Sequence, residues 1–360
     1  MKTKTLFNLS ALALAITFTS CKKDDPEVPT PAPVGGAYDN GVFISNEGPY
    51  GSGTGTISFY SRSTSVVTND IFEVKNSYPL GNVVQSMEIF NGKGYIVVNN
   101  AGKVEIVDGS TFASNGAISG LTNPRNFLGI DNSKGYISEW GTGGVNGAIK
   151  VVDLNTKTIT ATINTGKGAE GMVKVGNNVY VTCSGGYDND SVVTVIDATT
   201  NAVVTTITVG ANPKNIKVDA SGKIWVLCSG QYAPYPATNL VKSGQLVRID
   251  ASTNTVDLTL PFASIYSQPL NLVINNAKTT LYYSYDGKVY SQLSTATVLN
   301  TTAIINRNFY GLGIDPTNDY FYASDAGNFS SNGKVIRYNT TGIAVDSFTV
   351  GVIPGNFCFK

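Results

Sequence analysis

The sequence of 360 residues contains no histidine and has no excess of charge of either sign. Without histidine, Ser-His-Asp and Cys-His catalysis and histidine-dependent metal sites are excluded. Carboxylate chemistry stays possible, so this absence weakens an enzymatic interpretation without ending it. Because 25 basic residues balance 25 acidic residues, no positive surplus is available to hold a phosphate backbone. A nucleic acid is therefore not expected as a partner.

Charge is also scarce: 14% of the residues are charged, whereas 42% are hydrophobic. Such a composition allows a large buried core and argues against disorder. The 38 glycines and 19 tyrosines, with many threonines and valines, are typical of β structure with frequent turns. Because no segment carries a sustained helical period, a parallel sheet covered by helices is not expected.

The N-terminal part of the chain is predicted to be a leader and a tether. Lys2 and Lys4 precede an apolar run that ends at Phe18 and is too short for an ordinary membrane span. Residues 1–20 are therefore predicted to be a lipoprotein signal peptide. Residues 21–37 contain the proline-rich stretch PEVPTPAPVGG, which is typical of a semi-rigid linker.

The sequence FTSC at the end of this leader resembles a bacterial lipobox, although Phe18 replaces the usual aliphatic residue. The resemblance implies that Cys21 is the lipidated first residue of the mature protein, anchored by several acyl chains. An ordinary secretory signal, cleaved elsewhere, is the alternative. The following KKDD (22–25) resembles the signal that exports Bacteroidota lipoproteins to the outer face of the outer membrane. Its alternative is a solvated charge cluster in a linker.

A pattern of four short strand-like runs recurs seven times in the rest of the chain. One full copy extends from Gly168 to Gly210, and its runs end in glycine or polar turns. The first copy starts late, at Gly41, with the second run of the pattern. The missing first run stands at the end of the sequence, in residues 354–360.

This repeat of about 40–55 residues is typical of a four-stranded propeller blade. The sequence therefore predicts an all-β, seven-bladed β-propeller over residues 38–360, whose C-terminal strand completes blade one. A radial arrangement of this kind hides most sheet edges, which would otherwise invite aggregation.

The segment from Val179 to Pro213 resembles the YVTN-type propeller repeat, including its Tyr-Val-Thr. The region from about Gly41 to Lys360 is similar to the seven-bladed surface propellers of Bacteroidota. These have an opening like FISNEGPYGSGTGTISFY and a closing segment like TVGVIPGNFCF. Some members of that group capture vitamin B12 and pass it to a TonB-dependent transporter. The resemblance implies a non-enzymatic, lipid-anchored outer-membrane protein that faces the cell exterior and captures a ligand, with cobalamin the best guess. No cofactor or metal is expected.

Long, glycine-rich loops between the second and third runs carry most of the candidate binding residues. In a propeller these loops and those leading into each first strand share one face around the central channel. Aromatic rings with a few amides and cations suit a large, partly apolar ligand. The predicted ligand-binding residues are Tyr50, Arg125, Trp140, Tyr187, Lys214, Asn215, Tyr232, Tyr235, Asn308, Tyr310 and Phe329. The alternative is that these aromatics only cap the blades.

Several other readings stay open at this level. Cys183 and Cys228 occupy equivalent places in adjacent blades, and buried thiols are favoured over a disulfide there. Residues 188–190 (Asp-Asn-Asp) offer oxygen ligands for calcium, although such residues usually make turns. A protein- or glycan-binding scaffold is the alternative function, and a propeller hydrolase or lyase is a third. The third would need carboxylates that converge at the channel mouth, such as Glu47, Glu139, Glu170 and Asp325.

Overall fold

The computed structural model describes residues 36–233 and 239–360. The predicted signal peptide, the lipidation site Cys21 and most of the linker lie outside the described residues. Within them, the chain forms seven four-stranded antiparallel sheets and one two-stranded hairpin. The innermost strands contact one another in chain order and close a ring. This confirms the predicted all-β, seven-bladed propeller.

Blade 1 is assembled from both ends of the propeller sequence. Its strands, from the channel outwards, are β30 (Pro354–Phe359), β1 (Gly41–Asn46), β2 (Thr56–Ser61) and β3 (Val67–Thr68). Phe43 pairs with Cys358 in the ladder between β1 and β30. Arg62 donates to the carbonyl of Lys360 at 2.6 Å and forms an ion pair with Asp315 of blade 7 at 2.6 Å. The predicted closure of the first blade by the last strand is confirmed.

The other blades follow in chain order, each with its first strand innermost. Blade 2 comprises β4 (Val84–Phe90), β5 (Lys93–Val98), β6 (Lys103–Asp108) and β7 (Ser114–Ser119). Blade 3 comprises β8 (Pro124–Gly129), β9 (Lys134–Glu139), β10 (Ala148–Asp153) and β11 (Thr158–Asn164). Blade 4 comprises β12 (Ala169–Val175), β13 (Asn178–Cys183), β14 (Val192–Asp197) and β15 (Ala202–Thr208). Blade 5 comprises β16 (Pro213–Val218), β17 (Ile224–Cys228), β20 (Gln245–Asp250) and β21 (Thr255–Pro261). Blade 6 comprises β22 (Leu270–Ile274), β23 (Thr280–Tyr285), β24 (Lys288–Leu293) and β25 (Ala303–Ile305). Blade 7 comprises β26 (Leu312–Ile314), β27 (Phe321–Asp325), β28 (Asn332–Tyr338) and β29 (Ala344–Val352). The hairpin β18 (Gln231–Tyr232) and β19 (Leu240–Lys242) is an insertion in blade 5.

Helical structure is confined to two short segments of the described residues, α1 (Ile71–Asn76) and the 3-10 turn Thr142–Gly144. The helix follows the very short β3 and buries Ile71 and Phe72 against the blade 1 core. Six residues are too few to leave a helical period in the sequence, so the pattern did not predict this helix. In the described part of the chain, no helix is long and apolar enough to cross a membrane.

The hydrophobic core lies between neighbouring blades, in seven clusters that each combine residues of two adjacent blades. One position of the second strand is aromatic in every blade, and we call these seven residues the aromatic belt. In the strand ladder, each of them pairs with one residue of the innermost strand of its own blade. The members of the belt are Phe43, Tyr95, Tyr136, Tyr180, Trp225, Tyr282 and Tyr322.

Tyrosine hydroxyls of the belt form hydrogen bonds from one blade to the next. The hydroxyl of Tyr136 in blade 3 donates to Asn201 Oδ1 at 2.6 Å, in a turn of blade 4. In the same way, Tyr180 of blade 4 donates to Asn254 Oδ1 at 2.6 Å in the corresponding turn of blade 5. Both asparagines have a positive φ, a conformation that asparagine tolerates better than most residues. Turn chemistry and blade packing therefore support each other.

Candidate functional site

The innermost strands of all seven blades line a central cavity of about 690 Å³. Each blade brings one residue to the mouth of the cavity, three positions before the residue that pairs with the aromatic belt. We call these seven residues the mouth ring. They are Gln85, Arg125, Glu170, Lys214, Leu270, Tyr310 and Gly355. No two of the seven are of the same residue type.

The backbone explains why this position faces the channel. In blades 2, 3 and 5 the strand register shifts around Gln85, Arg125 and Lys214, so that each stands as an extra, unpaired residue. A bulge of this kind re-aims a side chain and is common next to functional sites. In these three blades the bulge therefore presents one variable side chain to the mouth.

Arg125 and Glu170 form the centre of a polar cluster on one side of the mouth. Arg125 Nε lies 3.0 Å from Glu170 Oε1, and its Nη1 donates to Gln85 Oε1 at 2.5 Å. Trp140 completes the cluster, since its Nε1 donates to Glu170 Oε2 at 2.8 Å while its ring lies 4.3 Å below the Arg125 guanidinium. Glu170 is thus neutralised and held in place before any ligand arrives.

Tyr310 and Glu47 form a second polar contact, on the side of blades 7 and 1. The Tyr310 hydroxyl donates to Glu47 Oε1 at 2.9 Å. Burial raises the pKa of the Tyr310 hydroxyl, and the adjacent Glu47 carboxylate raises it further. Burial also raises the pKa of Glu47, while the hydrogen bond from Tyr310 opposes that shift. Both groups line the cavity.

Lys214 is the cation of the mouth ring that has no ion-pair partner. No carboxylate of the described residues lies within 4.0 Å of its Nζ atom. Burial lowers the pKa of the Lys214 amine, and the Glu170 carboxylate opposes this shift only in part. An incompletely solvated amine without a partner is available to an acceptor group of a ligand.

Two aromatic pairs stand beside the mouth, on different blades. Trp140 and Tyr187 meet edge to face with ring centroids 5.4 Å apart, and Tyr310 and Phe329 do so at 5.5 Å. Tyr187 is 68% exposed and Phe329 is 51% exposed. Their rings therefore offer apolar surface to a ligand without loss of core packing.

The structure brings most of the predicted binding residues together, but not all of them. Arg125, Lys214, Asn215 and Tyr310 line the cavity, and Trp140, Tyr187 and Phe329 contact this group as described above. The others stand apart from it: Tyr50 lies exposed on the loop after β1, Tyr232 is on the β18 hairpin strand, and Asn308 is exposed before β26. Tyr235 lies outside the described residues.

Sequence reasoning missed two kinds of lining residue. Gln85 and the amide Asn271 line the cavity, and so do Glu88 and Lys217, deeper in the channel. The signal was present, because the innermost strands read PRNFL, PKNIK and PLNLV and place equivalent residues at equal offsets. A bulge near the start of each strand was needed to know which offsets face the channel.

The four carboxylates considered for catalysis do not converge. Glu139 is buried with Lys150 at 3.1 Å, and Asp325 pairs with Arg307 at 2.6 Å. Of the four, Glu47 and Glu170 line the cavity. Within residues 36–233 and 239–360, no group of three or more histidine, cysteine, aspartate or glutamate residues could hold a metal ion.

The remaining open questions of the sequence also have a structural answer. Asp188 pairs with Lys167 Nζ at 2.5 Å, and Asp190 accepts from the Lys167 backbone N–H at 2.7 Å. These carboxylates are therefore engaged in shaping the loop. Cys183 and Cys228 are buried free thiols, in agreement with their predicted role as small packing groups.

A protein family described as Domain of unknown function (DUF5074) matches residues 40–350. The chain belongs to this family. The match begins just before β1 and ends within β29, so it covers the propeller without its closing strand β30. The family description assigns no activity. No curated protein matches the chain.

Solved structures similar to this DUF5074 protein are propellers of varied function. A quinonprotein alcohol dehydrogenase-like protein of Bacteroides thetaiotaomicron is 14% identical, with a TM-score of 0.66 over 89% of this chain and 78% of that chain. The periplasmic gluconolactonase of Pseudomonas aeruginosa is 10% identical, with a TM-score of 0.66 over 88% and 98%. Hydrazine synthase of Kuenenia stuttgartiensis is 16% identical, with a TM-score of 0.59 over 76% and 88%. Identities this low support the fold alone.

Proposed function

We propose that this protein is a cell-surface lipoprotein without enzymatic activity, which captures a ligand at the channel mouth and presents it to an outer-membrane TonB-dependent transporter. The mouth ring is the observation that supports capture. Its seven positions carry different side chains around a cavity of about 690 Å³, a size typical of small-molecule sites. Such an asymmetric ring suits an asymmetric ligand. Surface anchoring rests on the sequence signals at Cys21 and residues 22–25.

The loop lengths around the mouth favour a broad ligand that lies in a groove. Blades 3, 4 and 5 carry long loops (140–147, 184–191 and 229–244), as do blades 7 and 1 on the other side (326–331 and 47–55). Blades 2 and 6 separate these two arcs and have short loops, 99–102 and 286–287. Two arcs with two gaps between them make a groove across the mouth, and one aromatic pair stands on each side.

Cobalamin is the ligand that we propose for this groove. A corrinoid is a broad, partly apolar ring with polar amide side chains, which matches aromatic walls above a polar floor. Because a corrinoid is larger than a drug-sized molecule, it would lie across the mouth rather than enter the cavity. The choice of cobalamin rests on the resemblance of residues 43–60 and 349–359 to the surface propellers of Bacteroidota.

Size-exclusion chromatography with excess cyanocobalamin tests this proposal. The chain is purified with Cys21→Ser, which removes the predicted lipid attachment, and the visible absorbance of the corrinoid is followed. We expect absorbance to elute with the protein at one equivalent. Separation of the two would contradict the cobalamin assignment while leaving the fold unaffected.

Substitution of the two exposed rim aromatics tests the site. Tyr187→Ala and Phe329→Ala should each weaken binding about tenfold, equivalent to about 1.4 kcal/mol, with an unchanged melting temperature. Ile343→Ala is the matched control, because Ile343 is 64% exposed but lies in the turn between β28 and β29, at the opposite end of the strands from the mouth. Equal binding by all three variants would place the ligand elsewhere.

A partner-binding scaffold is the second candidate, and an exposed apolar patch favours it. Tyr232, Val241, Ile265 and Tyr266 are all at least 41% exposed. They lie on two neighbouring segments, since the Leu240 N–H donates to the carbonyl of Ile265 at 2.6 Å. Apolar surface of this kind often marks a protein contact. Under the main proposal, the same patch is available for the transporter.

A further inference from the structure

Two charged side chains lie deeper in the channel than the mouth ring. Glu88 on β4 and Lys217 on β16 both line the cavity. They belong to blades 2 and 5, which are three blades apart in a ring of seven. Each stands three residues further along its strand than the mouth ring, at Gln85 and Lys214 respectively, which is a distance of about 10 Å at the rise of a β-strand. We call Glu88 and Lys217 the inner pair.

The inner pair occupies a layer that is otherwise without charge. Glu88 is backbone-paired with Tyr95, and Lys217 with Trp225, so both stand opposite the aromatic belt. The equivalent positions of the other five blades carry uncharged side chains or none. Those residues are Leu128, Val173, Val273, Gly313 and Cys358. Two opposite charges in an apolar layer are therefore a local feature, which the repeat itself does not require.

The two charges influence each other but do not meet. In the described part of the chain, neither forms an ion pair within 4.0 Å. Burial raises the pKa of the Glu88 carboxyl to about 7, while Lys217 opposes this shift. Burial likewise lowers the pKa of the Lys217 amine, while Glu88 opposes it. The thiol of Cys358 is the other titratable neighbour of Glu88. Both side chains line the cavity and neither is fully covered, so a ligand group of opposite charge can reach each of them.

We infer that the inner pair is a binding site for a small zwitterion, with the ligand's ammonium group at Glu88 and its carboxylate at Lys217. A molecule with both charges satisfies the two side chains together and brings no net charge into the channel. A simple anion or cation would satisfy one of them and leave the other unpaired. Both groups line the same cavity of about 690 Å³, which leaves room for a small ligand between them. This site does not depend on corrinoid binding at the mouth.

Calorimetric titration of the Cys21→Ser chain with ω-amino acids tests the inference. The probes are glycine, 4-aminobutyrate and 6-aminohexanoate, at pH 8, where the Glu88 carboxyl is ionised. Hexanoate and hexylamine are the singly charged controls. We expect one-to-one binding of at least one zwitterion, at least tenfold tighter than either control. Absence of saturable binding by all three zwitterions would overturn the inference.

Variants of the inner pair separate a specific site from general adsorption. Glu88→Gln and Lys217→Met should each weaken zwitterion binding at least tenfold. The exchanged pair Glu88→Lys with Lys217→Glu should restore binding, because the ligand can turn around. Lys174→Met is the matched control, since Lys174 is an exposed lysine of the neighbouring inner strand β12 that does not line the cavity. Unchanged binding in both single variants, with native melting curves, would overturn the inference.

Discussion

The aromatic belt and the mouth ring are built by the same seven blades, but they differ strongly in how far their residue types repeat from blade to blade. The belt is aromatic in every blade, with Phe43 and Trp225 as its departures from tyrosine. The mouth ring contains an amide, a guanidinium, a carboxylate, an amine, an aliphatic chain, a phenol and a glycine. The belt lies on the second strand of each blade. The mouth residue stands three positions before the residue of the innermost strand that pairs with the belt.

The difference shows which forces act on each ring. A belt residue must fill the same wedge between two blades seven times, so close packing demands a similar shape at every position. A mouth residue faces the channel cavity rather than a wedge between two blades, so close packing constrains its identity less. Where the fold imposes no repeat, the individual side chains are available for recognition.

Opening the ring should cause the largest loss of stability, because the packing between blades that the belt provides depends on a closed ring. Deletion of residues 356–360 removes most of β30, including Cys358, the backbone partner of Phe43. It also removes the ties of Lys360, whose Nζ donates to Asp39 at 2.6 Å and to the Gly109 carbonyl at 2.7 Å. The loss should rival the stability of a typical domain, about 5–15 kcal/mol, and abolish a cooperative calorimetric transition. A truncated chain that melts like the full chain would contradict the closure. Lys360→Ala, which removes only the side-chain ties, should retain the transition.

Substitution within the belt should come next. Tyr180→Ala empties a fully buried site and should lower the free energy of unfolding by about 3–5 kcal/mol in urea titrations. Tyr180→Phe removes only the hydrogen bonds to Asn254 and the Ala251 carbonyl and should cost about 1–2 kcal/mol. Tyr60→Phe is the matched control, because the buried Tyr60 hydroxyl has no hydrogen-bond partner among the described residues. A cost at Tyr60 equal to that at Tyr180 would refute the role of these inter-blade hydrogen bonds.

The mouth ring should respond in the opposite manner. Lys214→Met removes an amine without an ion-pair partner and should change the free energy of unfolding by less than about 1 kcal/mol. Under the proposed function, the same change should weaken cyanocobalamin binding about tenfold. Parallel urea and binding titrations measure both quantities. A large loss of stability together with unchanged binding would reverse the contrast between the two rings.

The smallest effect should appear in the pH dependence of stability. Because the folded pKa of Glu88 is raised above its ordinary value of 4.5 to about 7, the folded state binds the proton more tightly than the unfolded state. Its contribution is fully present below pH 4.5 and is lost as the pH rises through 7. Since Glu88 is accessible from the channel, we expect a change below about 1 kcal/mol. Urea midpoints at several pH values should show this slope in the native chain and not in Glu88→Gln. The same slope in both proteins would assign it to another group.

The helix α1 and the pairing of the acidic residues mark the limits of prediction from the sequence. The repeat located the blades, since each blade buries a period-two pattern that is visible in any single copy. Helix α1 stands where most of the outer strand of blade 1 would lie. Its six residues are held by tertiary packing rather than by a local sequence pattern. Glu139 and Asp325 end the second strands of their blades, one position before the place of Glu47 in blade 1, and each finds a cation of its own blade or the preceding loop. Such partners depend on side-chain direction, which residue spacing does not specify.

The sequence by itself determined the seven repeats, the closure of blade 1 by its last strand, and the face on which the long loops meet. These follow from local patterns, because strand period and turn residues act over a few positions. Only the tertiary structure decided that Arg125, Glu170 and Trp140 form one cluster and that Glu88 and Lys217 share a layer of the channel. Bulges in the innermost strands of six blades and the closure of the ring bring those residues together from different blades, and no single repeat encodes that arrangement.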